Sequence, residues 1–219
     1  MMARGIVLFA ALLACASAQG QSRRAGSSEV YLGPVFTAEK SYSFEGGSTA
    51  RTDTGFGMNF GYAFNYTPKM SFGFDIAWGE IDYRATVQPG PGNANAGRNL
   101  SGTIETRLLR VNGTYHFLAS DFTPFVTGGL GWTHIDTNIP AGLPENVCWY
   151  YPWYGTYCST YVPTETTTKF SYNVGAGLRM DFGRAAFARF LVNAQYVDFG
   201  GSYGSSNLTQ YRVDLGTKF

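Results

Sequence analysis

Read at every second position, the stretch Thr54 to Tyr66 separates into two faces. Phe56, Met58, Phe60, Tyr62, Phe64 and Tyr66 form one, and Gly55, Gly57, Asn59, Gly61, Ala63 and Asn65 form the other. A period of two belongs to a β-strand, whose side chains alternate across the sheet. The same alternation recurs from Val30 to Ala38, Met70 to Gly79, Leu109 to Phe117, Val126 to Thr133, Lys169 to Phe182, Arg189 to Val197 and Gln210 to Phe219. An amphipathic helix would repeat its apolar positions at three and four, and these segments do not. Eight strands are therefore predicted, each near the ~9–11 residues of a tilted membrane strand.

The connections alternate in length. Tyr66 to Lys69, Leu118 to Thr123 and Gly183 to Ala186 are short, whereas Lys40 to Arg51, Thr86 to Ser101, Asp136 to Thr167 and Asp198 to Ser206 are long. Transmembrane barrels show this asymmetry, with short periplasmic turns and longer extracellular loops. An even strand number then places both termini on the periplasmic side. The expected fold is all-β, an eight-stranded antiparallel up-and-down transmembrane β-barrel, with no segment left for a second domain.

Alternation alone does not say which face meets lipid, because a soluble barrel turns its apolar face inward. Two features decide it. The apolar face is too bulky for an eight-stranded interior, which is only just wide enough for side chains to fill. The second segment alone brings three Phe and two Tyr to that face. The other face mixes small residues with opposite charges: Asp53, Asp75, Asp181 and Asp214 with Arg110, Lys169, Arg179, Arg189, Arg212 and Lys218. An Arg at the bilayer midplane costs ~2–4 kcal/mol, whereas mixed charges in a narrow lumen can pair. The charged face is expected to look inward, with the strand glycines leaving room for long Arg side chains. Phe56, Phe60, Phe72, Phe74, Tyr172, Leu178 and Val213 are expected to face lipid. Tyr66, Trp78, Trp132, Phe182, Tyr196 and Phe219 lie near segment ends, where aromatic girdles form.

Composition narrows the rest. The chain has 219 residues, is 44% hydrophobic, 16% aromatic and 14% charged, and carries a formal net charge of +1. That excludes a disordered chain and offers no basic field for nucleic acid. The positive start Met1 to Arg4, the apolar run Gly5 to Ala14 and the small residues Ala16-Ser17-Ala18 read as a secretory signal. Residues 1–18 are thus assigned to the signal peptide, 19–28 to a short periplasmic segment and 29–219 to the barrel. A rival reading keeps Cys15 as a lipidated residue, since Leu12-Leu13-Ala14-Cys15 resembles a lipoprotein cleavage box. With Cys15 removed, Cys148 and Cys158 remain, and an even pair in an exported chain suggests a disulfide.

Four stretches carry a family resemblance: TPFVTGGLGW (Thr123–Trp132), FSYNVGAGLRMDF (Phe170–Phe182), AQYVDFG (Ala194–Gly200) and the terminal YRVDLGTKF (Tyr211–Phe219). They resemble the bacterial outer-membrane β-barrel family that includes the membrane domain of OmpA, without its peptidoglycan-binding domain. The resemblance implies a monomer in a Gram-negative outer membrane, in contact with lipid and lipopolysaccharide. It also implies export by periplasmic chaperones and the barrel-assembly machinery, with Tyr211, Val213, Leu215 and Phe219 as the assembly signal.

The sequence offers little chemistry. Two distant histidines, His116 and His134, make no zinc site with two paired cysteines. The GGLG at Gly128 and the GAGL at Gly175 lie inside strands, so no phosphate loop and no cofactor are expected. Lipid A-modifying barrels resemble this fold and use Ser and His; His134, Asp136 and a loop serine such as Ser159 are the residues available for that, and no enzyme is expected. The most singular stretch is CWYYPWYGTYC, Cys148 to Cys158, which gathers Trp149, Tyr150, Tyr151, Trp153, Tyr154 and Tyr157. Rigid aromatics suit recognition of an unidentified surface ligand, or a self-packed cap over the barrel mouth, or a foot on lipopolysaccharide. Two functions remain: a structural surface barrel with loop-mediated recognition, and an OmpW-like passage for small apolar solutes.

Overall fold

A computed structural model describes residues 24–43, 47–86, 99–140, 145–161, 164–198 and 205–219. The expected signal peptide, Cys15 and the first residues after the cleavage site lie outside these. Twelve strands follow in chain order: β1 (Ser28–Thr37), β2 (Lys40–Ser43), β3 (Thr49–Thr52), β4 (Gly55–Asn65), β5 (Met70–Thr86), β6 (Asn99–His116), β7 (Phe122–Pro140), β8 (Glu145–Tyr151), β9 (Gly155–Tyr161), β10 (Thr164–Phe182), β11 (Ala186–Asp198) and β12 (Ser205–Lys218).

Eight of them close a ring. β1 pairs antiparallel with β4 on one side and β12 on the other, so that Tyr31 sits opposite both Gly61 and Gly216. The circuit continues through β5, β6, β7, β10 and β11, each pair antiparallel. Closure gives every wall strand two neighbours, as a strand surrounded by hydrocarbon requires. The seam is sewn at its foot by reciprocal Ser28–Phe219 backbone bonds of 2.9 Å. The two small hairpins stand outside the ring: β2 and β3 extend it beside β5, and β8 and β9 pair only with each other.

The eight predicted segments correspond to the eight ring strands, but several strands run further than the apolar alternation. β5 continues to Thr86, β6 begins at Asn99, β7 continues to Pro140 and β10 begins at Thr164. Beyond Trp78 the outward positions on β5 become Glu80, Asp82 and Arg84, and below Leu109 those on β6 become Arg107 and Glu105. There the outer face turns polar while apolar residues such as Ile81 and Leu108 point inward, so the outward hydrophobic signal stops while the hydrogen-bond ladder goes on. The segments read as long loops accordingly contain strand pairs.

The facing is inside out relative to a soluble barrel. Phe56, Phe60, Phe72, Phe74, Tyr172, Leu178 and Val213 are all exposed on the outer surface. Tyr66, Phe182 and Phe219 ring the short-turn end, while Trp78 and Trp132 mark the level where the long strands turn polar. Rings also meet across strands on this surface: Tyr172 stacks on Tyr196 at 4.9 Å, and Phe36 lies tilted against Phe56 at 5.5 Å.

The glycines make room for something other than the expected arginines. A β-carbon on Gly61 would lie 2.3 Å from the ring of Tyr31, one on Gly216 2.4 Å from Phe187, and one on Gly177 2.7 Å from Phe125. These three rings point into the lumen and are almost wholly buried. Each occupies a hole left by a glycine on the neighbouring strand, so the interior packs densely although its lining is small. Two arginines then sit over the rings: Arg189 stands 3.8 Å over Tyr31 and Arg179 4.1 Å over Phe187.

Candidate functional site

Two places concentrate unusual side chains, the lumen and the β8–β9 hairpin. The lumen is built in layers. Near the short-turn end, Arg179 makes a bidentate pair with Glu29 at 2.6 and 2.9 Å and also donates to Asp181 at 2.8 and 3.0 Å. Lys218 reaches Asp181 at 3.2 Å, and Arg24 approaches it at 3.6 Å. Arg24 also donates to the carbonyls of Leu118 and Ser120, tying the chain before β1 to the β6–β7 turn. Burial, and next the Arg179 guanidinium, push the Arg24 pKa down to about 10, against the opposing pull of Asp181, Glu29 and Asp121. Arg24 belongs to the stretch assigned from sequence to a short periplasmic segment, and its side chain closes the foot of the lumen.

The middle layer centres on Asp75. Its carboxylate accepts from Tyr31 Oη at 2.5 Å, Asn112 Nδ2 at 2.8 Å, Arg212 Nη1 at 2.9 Å and Arg110 Nη2 at 3.4 Å. Asp214 accepts from Arg189 at 2.8 Å and meets Arg212 Nε at 3.0 Å. Asn59 links Arg212 to Asp214, accepting from the guanidinium at 3.2 Å and donating to the carboxylate at 3.4 Å. Above this lie neutral amides and hydroxyls, with Gln195 and Ser171 both meeting Thr133. Beside these the lining includes the apolar Val35, Ala77, Ile81 and Leu108, around a small cavity that Thr133 and Gln195 also line.

Of the ten charges predicted for the lumen, Asp75, Arg110, Arg179, Asp181, Arg189, Arg212, Asp214 and Lys218 are buried in these two layers. Asp53 is not. It sits in the break between β3 and β4, half-buried, paired at 2.9 Å with the exposed Arg84, because by that height the wall has left the apolar zone. Lys169 keeps inward parity on β10 but is half-exposed near the open end. Sequence reasoning missed Glu29 and Arg24. Glu29 shares the parity of Tyr31 and Val35 and was available from the alternation; nothing in the periodicity marks Arg24.

The hairpin is joined by the Cys148–Cys158 disulfide, and the two cysteines face each other across the β8–β9 ladder. Trp149 stands opposite Tyr157 in that ladder, on the face opposite to the cysteines. The chain reverses between Tyr151 and Gly155, where Gly155 adopts a φ of +78°. That turn lifts Trp153 and Tyr154 to 90% and 91% exposure, the highest of the large side chains there. Tyr150, Tyr151 and Tyr157 are also exposed.

The residues considered for lipid A chemistry are not assembled. His134 Nδ1 is bonded to Thr168 at 2.9 Å and Asp136 accepts from Thr164 at 3.2 Å, both on the outer face of β7. Ser159 lies on the separate hairpin, opposite Val147. No group of three metal-ligating side chains forms among the described residues. His116 is buried beside the ring of Phe125 at 5.6 Å.

Residues 7–219 match the family described as outer membrane protein beta-barrel domain. The comparison with curated protein sequences found no match. Among solved structures, the chain is similar to the outer membrane protein OprG of Pseudomonas aeruginosa, with 12% identity, 91% and 98% of the two chains covered and a TM-score of 0.51. It is also similar to the N-terminal beta-barrel domain of OprF from the same organism, with 16% identity, 89% and 98% covered and a TM-score of 0.44. Neisserial surface protein A aligns at 12% identity, 88% and 97% covered and a TM-score of 0.49. A closed eight-stranded ring with apolar rings outside, ion pairs inside and a family match over nearly its whole length identifies this chain as a member of the outer-membrane β-barrel family, a resident of the Gram-negative outer membrane.

Proposed function

We propose that the protein is a monomeric structural surface barrel whose aromatic hairpin contacts a ligand outside the cell. The observation that carries this reading is the pair Trp153 and Tyr154, held almost fully in solvent at the tip of a disulfide-closed hairpin. Leaving two such rings exposed is costly unless something covers them, and aromatic residues dominate binding hot spots. In this reading the long strands and hairpins face the exterior, and the short turns and both termini face the periplasm. Lipid and lipopolysaccharide surround the barrel, and the periplasmic chaperones and assembly machinery deliver it, with Tyr211, Val213, Leu215 and Phe219 presented on its last strand. The two ionic layers argue for a scaffold and against an ion pore, because a conducting path would have to break them.

The test uses cells displaying the full chain on panels of immobilised glycans and matrix proteins. Retention is expected to fall for Cys148→Ser and Trp153→Ala at equal surface level. Retention unchanged by both substitutions removes the recognition reading. Planar-bilayer recording is expected to be silent, and steady single-channel steps would refute the plugged lumen.

One observation favours a second reading, passage of small apolar solutes. The cavity beside Val35, Ala77, Ile81 and Leu108 is also lined by Gly57 and Gly79, which face each other across β4 and β5. A groove on the outer surface of the wall is lined by the same two glycines with Phe56, Trp78 and Glu80. Under this reading Gly57→Leu abolishes protein-dependent entry of a hydrophobic dye into liposomes, while an intact rate excludes that route.

A further inference from the structure

The middle layer of the lumen encloses a polar cavity that its ion pairs leave unbalanced. Arg110, Arg189 and Arg212 line it with Asp75, Asn112 and Asn173. Asp214 stands just behind, bound to Arg189 and Arg212. Three guanidinium groups against two carboxylates leave one positive charge. All five side chains are at least nine-tenths buried. Uncompensated charge is costly so far from water. The hydrogen bonds leave a matching gap. Nε of Arg110 and Nε of Arg189 are buried without a partner among the described residues. Arg110 spends one Nη on Asp75, and its other reaches Asn193 at 3.2 Å once that amide is turned to satisfy both of its ends. The space that remains is small, with room for one compact occupant.

We propose that this cavity is a binding site for one monatomic monovalent anion, a halide such as chloride. A water molecule would satisfy an orphan N–H but leave the charge. A carboxylate or phosphate carries the charge but exceeds the space. A halide does both tasks: it accepts from Arg110 and Arg189 and brings the cluster to neutrality. The barrel's ionic centre is then three cations with three anions, one of which is exchangeable, and the stability of the fold is linked to halide concentration.

The experiment uses the mature chain refolded in detergent. Urea unfolding is followed in sodium chloride, bromide and gluconate at matched ionic strength. Crystals grown in bromide are measured at the bromine absorption edge. The expected result is a higher unfolding midpoint in either halide than in gluconate. Above the dissociation constant, the folding equilibrium constant should rise about tenfold for each tenfold rise in halide. An anomalous peak is expected within hydrogen-bond reach of Arg110 Nε and Arg189 Nε. Asn173→Asp, which installs a fixed carboxylate in the cavity, is expected to remove both the peak and the halide dependence. Should that variant fail to fold, the wild-type peak decides alone. Identical midpoints in the three salts together with no bromide peak mean that the occupant is water only and overturn the proposal, as does a peak that persists unchanged in Asn173→Asp.

Discussion

The ion layer around Asp75 makes the sharpest quantitative prediction. Asp75→Asn keeps the shape of the side chain but replaces the anion by an amide facing Arg110 and Arg212. Arg212 retains Asp214 at 3.0 Å, whereas Asp75 is the only carboxylate within ion-pairing distance of Arg110 among the described residues. Arg110 and Asp75 are 3% and 2% exposed, so water cannot take over the lost contact. Stranding one partner of a buried pair costs about 3–5 kcal/mol. The double variant Asp75→Asn/Arg110→Gln removes one charge of each sign and returns the layer to its original balance. It should be more stable than Asp75→Asn alone, with a coupling of about 1–3 kcal/mol. The assay is urea unfolding in detergent, followed by gel mobility and by tryptophan fluorescence, to which Trp78 and Trp132 on the outer surface contribute. A single variant within about 0.5 kcal/mol of wild type, or a double variant whose loss is the plain sum of the two singles, would show that the layer is solvated and the reasoning wrong.

Three further outcomes follow from the same structure. Phe60 lies midway along the outer face of β4, opposite Leu32 and Ile76; Phe60→Arg should cost at least about 2–4 kcal/mol and lower surface levels far more than Asn59→Ser, and equal levels on intact cells would refute the facing. Gly177→Ala places a methyl group 2.7 Å from the Phe125 ring and closer still to the Phe190 carbonyl, so the unfolding free energy should fall by about 1–3 kcal/mol through overpacking, read as a lower urea midpoint; an unchanged midpoint would mean that the ring does not occupy the glycine hole. Protease should cleave the β8–β9 hairpin region on intact cells and leave the short turns untouched, and the opposite pattern would invert the orientation.

The alternation from Val30 to Phe219 determined by itself that the chain makes eight strands, which face of each is apolar, and that this face meets lipid, since an eight-stranded interior cannot hold it. Those properties are local, because the side-chain period of a strand is a property of its own residues. The pairing of Cys148 with Cys158 was readable by counting, because reading the first residues as a leader leaves only these two cysteines. Other features needed the closed ring. Neither the 3.8 Å contact of Arg189 with Tyr31 nor the bidentate Glu29–Arg179 pair is written in any one segment. Each joins residues far apart in sequence, and each depends on the stagger between strands. Only tertiary structure decided that glycines shelter rings, that Asp53 falls above the lumen, that Arg24 seals its foot, and that one positive charge is left over at the centre. The physical reason is that parity assigns a side chain to a face, while height along the axis, and so its partner, is set by how the strands tilt and register when the sheet closes.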